Sequence, residues 1–296
     1  MFFKETSLIA ILLVISNIAI PFSTQAAETE PQSNASVNSE ADQSVSEQQE
    51  SNNFYEFKAI VGAGYQSQLY LENEIGYVPV LAVTFDGEYN DWFVESNARN
   101  RISGVLGRFY LGYHLWESEA EGLDLVWGHY SPAIDKTDKD EKEIPELVNL
   151  QTRKDDELLG VRYSNWESDT YYSLEAAYDI LNNSHQSFVV EGYLGRTAAI
   201  RNWDLTYGLG ATWYSSKVIN YNVGLKDFEL TDELFAYSTG AGYTVDFEIS
   251  AQTPISESWV FEIALEHTFL SSNIKNSPLV VNDNLSSVLL GFSYVF

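Results

Sequence analysis

Two pairs of histidine and serine are the residues whose types and spacing could support catalysis in this sequence. His185 and Ser187 precede Glu191, and His129 and Ser131 repeat the same spacing. A histidine activates a serine hydroxyl when the two lie within hydrogen-bond distance and a third group orients the ring. Residues two apart share a strand face, so the geometry is open to both pairs. Because serine is abundant and such pairs arise by chance, we interpret them as polar rim or loop residues and predict no catalytic residue.

The other histidines and the cysteine count indicate no metal or cofactor site. His114 alternates with Arg108 and Tyr110 on one strand face, and His267 stands on an otherwise apolar face. An interfacial position or an internal hydrogen bond explains both better than metal ligation. The chain has 0 cysteines, which excludes disulfides, thiol catalysis and zinc–thiolate sites. No zinc-type histidine spacing and no EF-hand pattern occurs in the sequence, so we predict neither a metal nor a cofactor.

Alternating apolar and polar residues reveal the strands that must position these side chains. The last segment is the clearest, because one face carries only large apolar residues: Val288, Leu290, Phe292, Tyr294 and Phe296. About 12 strands are predicted in this way. Their bounds are 55–65, 76–87, 91–97, 104–116, 123–132, 157–166, 170–181, 188–200, 203–216, 237–254, 259–270 and 285–296.

Short and long connections alternate between the predicted strands. The short ones are 88–90, 117–122, 167–169, 201–202 and 255–258, and the longest intervening ones are 133–156, 217–236 and 271–284. Tryptophan recurs beside the short turns, at Trp92, Trp166, Trp203 and Trp259. Its amphipathic ring suits a boundary between membrane and water. The pattern predicts an all-β fold, a transmembrane antiparallel up-and-down β-barrel with short periplasmic turns and longer extracellular loops.

The N-terminal segment indicates where such a barrel is delivered. Residues 1–27 read as a signal peptide, with Lys4 before an apolar run and small residues at the cleavage site. Residues 28–53 form an acidic Ser/Gln-rich stretch that we expect to be a disordered periplasmic lead-in to a barrel over 54–296. Periodicity alone permits a soluble barrel with its apolar rows inside. The signal peptide and the terminal Phe296 favour the outer membrane of a Gram-negative cell.

Charged residues on the polar strand faces are predicted to line the barrel interior. They carry both signs, so they could cross-link and plug the lumen or line a narrow pore that prefers cations. The predicted lumen residues are Lys58, Arg108, Arg162, Glu175, Asp179, Glu191, Asp246, Glu248, Glu262 and Glu266.

The chain is strongly acidic, with 43 acidic and 16 basic residues and a formal charge of −27. Such a surface repels phosphates and argues against a nucleic-acid partner, so we predict none. Acidic loops suit contact with outer-membrane lipids and a lipopolysaccharide layer rich in divalent cations, although solubility explains the charge equally well. The mixed-charge run 135–143 is predicted to be a solvated loop, with cation or partner binding as the alternative.

Several segments resemble one family of outer-membrane proteins. Segment 213–224 runs from a tryptophan at a strand end into an aromatic-rich stretch, and 277–280 reads Ser-Pro-Leu-Val. Gly291, Tyr294 and Phe296 match the closing-strand signature of such barrels, while the segment around His185 keeps a histidine without the family's glycines. Together these features resemble the MltA-interacting protein (MipA/OmpV) family over about residues 57–296.

The resemblance implies an outer-membrane barrel and, for the best-known member, a scaffold that joins a murein hydrolase to a murein synthase. The first hypothesis is therefore a non-enzymatic scaffold or interaction protein for the peptidoglycan machinery, docking through the periplasmic rim. The second is a passive channel for small, possibly cationic solutes. The third is an outer-membrane lipid hydrolase that uses His185 or Ser187.

Overall fold

The computed structural model describes residues 54–71, 76–96, 109–131, 134, 144–181 and 184–295. The predicted signal peptide 1–27, the lead-in 28–53, Arg108, the run 135–143 and Phe296 lie outside these residues. Twelve strands are present in the described part: β1 (Phe54–Gln66), β2 (Tyr77–Tyr89), β3 (Trp92–Glu95), β4 (Tyr110–Glu117), β5 (Glu121–Gly128), β6 (Leu158–Glu167), β7 (Thr170–Tyr178), β8 (Phe188–Ile200), β9 (Trp203–Tyr214), β10 (Gly242–Pro254), β11 (Trp259–Leu270) and β12 (Asn284–Val295).

The strands form one closed antiparallel barrel in which each strand pairs with its sequence neighbours and β1 pairs with β12. This confirms the predicted up-and-down topology. The described loops contain two short helices, α1 (Ser216–Asn222) and α2 (Ser272–Lys275), together with the 3₁₀ turns Pro145–Leu147 and Asp227–Glu229. Among the described residues, no helix is both long and apolar enough to cross a membrane.

Several predicted strands are shorter in the structure: β3 spans only Trp92–Glu95 of the predicted 91–97, and β9 ends at Tyr214 instead of 216. At the end of β5 and the start of β10, local hydrogen bonds remove residues from the ladder. β5 ends at Gly128 instead of 132, since the amides of Tyr130 and Ser131 donate to the side chain of Asp156. β7 ends at Tyr178 instead of 181. β10 begins at Gly242 instead of 237, because Tyr237 forms an isolated bridge with Leu225. Residues 104–108 of the fourth predicted strand lie outside the described residues.

Burial alternates along each strand in the sense expected for a membrane barrel. On β7, Leu174 is 58% exposed while the adjacent Glu175 is 6% exposed. On β9, Leu209 is 52% exposed whereas Thr212, on the opposite face, is 2% exposed. Apolar side chains therefore cover the outside and acids face the axis, which is the reverse of a soluble barrel. The predicted orientation of the apolar rows is confirmed.

The two rims of the barrel differ as predicted. At the short-turn rim, the first residues of three two-residue turns have positive φ, with values of 55° at Asn90, 58° at Ser168 and 58° at Arg201. Trp92 follows the first of these turns and Trp259 follows the connection 255–258 at the same rim, and they make edge contacts with Tyr113 and Tyr294 at centroid distances of 5.1 and 5.2 Å. Aromatic rings at one rim form the girdle expected at a membrane boundary.

The seam between β1 and β12 closes the barrel through register pairs that run from Lys58 and Val295 to Gln66 and Ser287. Gly62 lies directly opposite Gly291 in the middle of this seam. A Cβ atom at Gly62 would overlap the backbone carbonyl of Leu290. The two glycines thus allow the first and last strands to approach closely.

We expect Gly62→Val to weaken this closure, because the added carbons meet backbone that cannot move without breaking ladder hydrogen bonds. The free energy of unfolding should fall by about 1–3 kcal/mol. The measurement is a urea titration of the refolded barrel followed by tryptophan fluorescence. Ala63→Val is the matched control, since this neighbour points outward, and it should change stability by less than about 0.5 kcal/mol. Equal effects of the two substitutions would contradict the close approach at the seam.

Candidate functional site

A cavity of about 480 Å³ opens inside the barrel at the short-turn rim, and we call it the vestibule. Its basic side chains are Lys58 and Arg162, beside His114. Its walls carry eight carboxylates, from Glu56, Asp86, Glu88, Glu95, Glu117, Glu119, Glu121 and Asp124. Because acids outnumber bases, the vestibule attracts cations.

The inner end of the vestibule is held by charge pairs on adjacent strands. Arg162 is buried and donates from Nη1 to Glu95 Oε2 at 2.8 Å and from Nε to Asp124 Oδ2 at 3.3 Å. Asp124 Oδ1 also lies 2.7 Å from Nδ1 of His114. The imidazole ring stacks on Phe93 with a centroid distance of 4.6 Å. These contacts fix the orientation of His114 from two sides.

The described lumen residues that belong to strands lie on the inner face, as predicted, and Asp179 lies just beyond the end of β7. Pairing in register places Arg162 opposite Glu175 and Glu175 opposite Glu191, which extends the polar row across three strands. Lys58 forms an ion pair with Glu56 at 2.5 Å. The other predicted lumen acids are Asp246, Glu248, Glu262 and Glu266, on β10 and β11. Arg108 lies outside the described residues.

The opposite, long-loop end is packed with apolar side chains around α1, and we call this packing the loop plug. Val218 of α1 contacts a buried cluster on the inner wall that includes Leu158, Ala177 and Val189. Ile219 joins a second buried cluster, built mainly from the loops: Tyr70, Ile134, Leu147, Leu150, Val223, Leu225, Leu234, Leu270, Ile274 and Leu279. Helix α1 therefore connects the barrel wall to the loops across the mouth. A cavity of about 190 Å³ lies beside it.

The two histidine and serine pairs converge on one buried carboxylate, Asp156, which is 0% exposed. Its Oδ1 accepts the amides of Tyr130 and Ser131 at 2.7 and 3.0 Å, and its Oδ2 lies 3.3 Å from Nε2 of His185. The backbone carbonyl of Asp156 hydrogen-bonds the ring of His129. Asp156 thus connects three loop segments through hydrogen bonds. It was not predicted from the sequence, because its partners are distant in the chain.

The serine hydroxyls do not bond to these histidines in the structure. Ser187 Oγ lies 2.6 Å from Ser215 Oγ, while the Ser187 amide donates to Nδ1 of His185 at 3.2 Å. Ser131 Oγ accepts a hydrogen bond from the side-chain amide (Nδ2) of Asn222 at 2.8 Å. Both pairs therefore serve to connect loops, in agreement with the interpretation as polar loop residues.

Two further predicted residues have local partners. On the outer face, Nδ1 of His267 lies 2.8 Å from Ser286 Oγ, an internal hydrogen bond of the kind that was one of the two explanations offered for this residue. Asp179 accepts hydrogen bonds from Ser184 Oγ at 2.7 Å and from the amide of Gln186 at 3.0 Å. Burial acts to raise the pKa of Asp179, but these hydrogen bonds outweigh it and hold the pKa below its usual range.

A buried ion pair between Arg153 and Glu229 stabilises the loop plug. It was not predicted from the sequence. Arg153 Nη1 lies 2.7 Å from Glu229 Oε1, and the two side chains are 6% and 0% exposed. The amides of Gln151 and Lys226 donate to the same carboxylate at 3.1 and 3.0 Å. Burial acts to raise the pKa of Glu229, but the hydrogen bond from Arg153 and the two amides lower it below its usual value.

A family model described as MltA-interacting protein MipA matches residues 60–296. The chain belongs to this family. It is 25% identical over 243 residues to the MltA-interacting protein of Escherichia coli strain K12, which covers 81% of this chain and 90% of that relative. It is 30% identical over 93 residues to the outer membrane protein OmpV of Vibrio cholerae, covering 31% and 35% of the two chains.

Among solved structures, the NanC porin matches with a TM-score of 0.37 and 10% identity, covering 80% of this chain and 98% of that chain. The family assignment confirms the resemblance drawn from the sequence. With relatives named as outer membrane proteins and a closed β-barrel with an apolar exterior, this chain is an outer-membrane protein. The short-turn rim is the periplasmic rim, and the loop plug lies at the extracellular end.

We expect Glu229→Gln to loosen the loop plug at neutral pH, because Arg153 is then buried without its carboxylate. Breaking such a pair costs about 3–5 kcal/mol. Hydrogen exchange measured by mass spectrometry should show faster exchange of the amides in 149–156 and 224–230. Asp227→Asn, on an exposed residue of the same 3₁₀ turn, is the matched control and should leave exchange unchanged.

The same carboxylate predicts a pH dependence. The folded pKa of Glu229 lies below its ordinary value of 4.5. The stabilisation that the ionised carboxylate gives to the loop plug is therefore complete above that value and is lost as pH falls through the folded pKa. Fast exchange in the wild type at neutral pH, equal to that of Glu229→Gln, would contradict the role of this ion pair.

Proposed function

We propose that this protein is a non-enzymatic scaffold in the outer membrane that binds peptidoglycan enzymes through its periplasmic rim. The observation that carries the proposal is the match to the MltA-interacting protein of Escherichia coli over 90% of that relative's length. The partners would be a murein hydrolase and, as the resemblance implies, a murein synthase. The apolar exterior would contact outer-membrane lipids, and the extracellular loops would face lipopolysaccharide.

The distribution of open and packed ends supports this proposal. Described loops and α1 pack at the extracellular end, whereas the periplasmic end holds the open, acidic vestibule. At this rim, the connections at residues 90–91, 168–169 and 201–202 are only two residues long, and Asn90, Ser168 and Arg201 are exposed. A murein enzyme in the periplasm can reach only this rim. In the same proposal, residues 1–27 direct export and residues 28–53 form the periplasmic lead-in.

Single cysteines can test the docking rim without background, since the chain has 0 cysteines. Glu119→Cys places a thiol in an exposed periplasmic turn, and Asp232→Cys places a matched thiol in an exposed extracellular loop. With a thiol-specific cross-linker in cells, we expect Glu119→Cys to yield an adduct with a murein hydrolase or synthase, identified by mass spectrometry.

Asp232→Cys should give no such adduct, and the wild type serves as the blank. The proposal is wrong if cysteines in all of the short periplasmic turns fail to capture a murein enzyme while surface labelling shows that their thiols react. Equal capture by the extracellular position would also contradict it.

A passive channel is the second candidate, and the acidic vestibule is the feature that favours it, because carboxylates concentrate cations at a pore entrance. The loop plug opposes it, since Val218 is 0% exposed and Ile219 is 3% exposed within the packed mouth. The two features lie at opposite ends of the lumen, so conductance depends on whether the plug stays in place.

We expect the wild type to give no conductance steps in planar bilayers. Val218→Asp should produce steps, because a buried carboxylate expels α1 from its apolar contacts. Lys217→Asp, on an exposed neighbour in the same helix, is the matched control and should remain silent. Regular cation-selective steps from the wild type would favour the channel over the scaffold.

A further inference from the structure

Three side chains at the mouth of the vestibule form a cluster that the scaffold role does not use. Glu88, His114 and Glu117 each offer one ligand atom, and these atoms lie within 4.8 Å of one another. All three residues line the vestibule, and Glu117 is exposed to solvent. A cation approaching from the periplasm can therefore reach the cluster.

The strand geometry explains why these residues meet. Glu88 lies at the end of β2, while His114 and Glu117 lie on β4, and only the four-residue strand β3 separates the two. His114 and Glu117 are three apart and would face opposite sides of a regular strand. A register irregularity between His114 and Trp116 adds one residue and brings Glu117 opposite Gly122. The bulge thus turns the Glu117 carboxylate inward, next to the imidazole.

The imidazole is oriented as a metal ligand. Nδ1 lies 2.7 Å from Asp124 Oδ1, and in the neutral tautomer that donates Nδ1–H to this carboxylate, Nε2 carries the lone pair that a metal ion needs. A carboxylate behind the histidine is the usual arrangement in metal sites, because it fixes the tautomer and the ring orientation. Asp124 is itself held by Arg162, and the ring rests on Phe93. His114 is therefore preorganised before any ion arrives.

Electrostatics also point to a cation. Within the described residues, neither Glu88 nor Glu117 forms an ion pair with a lysine or arginine. Two carboxylates held this close repel each other unless a positive charge lies between them. Glu56 and Glu95, by contrast, pair with Lys58 and Arg162 and are not available.

We propose that Glu88, His114 and Glu117 bind a divalent transition metal ion of the Zn²⁺ class. One imidazole nitrogen and two carboxylate oxygens suit Zn²⁺, whereas Ca²⁺ and Mg²⁺ favour sites made only of oxygen ligands. Three protein ligands leave a fourth tetrahedral position for water, directed to the vestibule. The ion links the ends of β2 and β4 across β3. This site does not depend on the scaffold proposal, so either can fail alone.

Isothermal titration of the detergent-solubilised full chain with Zn²⁺ tests the site. We expect one tight site per barrel, with affinity lowered roughly tenfold or more by Glu117→Gln or His114→Gln. Glu117→Gln is the primary variant because its side chain is exposed and its loss leaves the Arg162 network intact. X-ray absorption at the zinc edge should detect one imidazole ligand in the wild type and none in His114→Gln.

Matched controls separate this site from adventitious binding. Glu119→Gln removes a carboxylate from the same vestibule, and His267→Gln removes a histidine on the outer face, so both should bind Zn²⁺ as the wild type does. The proposal is overturned if Glu119→Gln weakens binding as much as Glu117→Gln, if no imidazole ligates the ion, or if Ca²⁺ competes equally with Zn²⁺. Failure to bind Zn²⁺ at neutral pH by a folded, heat-modifiable barrel would also overturn it.

Discussion

Every backbone N–H and C=O group that faces hydrocarbon must find its partner within the protein, because no water is present there to replace it. In this chain the requirement is met by joining β1 to β12, so that no strand edge remains at the seam. Gly62 and Gly291 make the approach possible at the centre of that seam. The rest of the architecture follows from closure, since a closed barrel has one surface for lipid and one for a lumen.

The interior differs in composition between its two ends, with apolar packing at one and acidic side chains at the other. At the extracellular end, loops and α1 bury apolar side chains against one another, and the ion pair of Arg153 and Glu229 is satisfied by surrounding hydrogen bonds. A buried pair of this kind adds specificity to the loop arrangement because either charge alone would be costly. At the periplasmic end the acids remain partly solvated, and their excess over basic residues creates a surface that attracts cations.

The order of strands at the rim shapes the vestibule. One strand, β3, pairs with both β2 and β4, whose last residues lie at the same rim, and the bulge in β4 re-aims one carboxylate. Phe93 and Arg162 then support His114 from inside the wall. Glu88, His114 and Glu117 thus lie on strands of the barrel wall itself.

The amino-acid sequence by itself determined the barrel, its strand number, the short-turn rim and the inward direction of residues such as Glu175 and Asp246, because a period of two is a local property of a strand. The family resemblance was also present in the sequence. Only the tertiary structure decided that the loops pack around α1, that Asp156 gathers both histidine pairs, and that Glu88 meets Glu117. These contacts join residues far apart in the chain or depend on a bulge, and neither long-range packing nor a one-residue shift in register leaves a periodic signal.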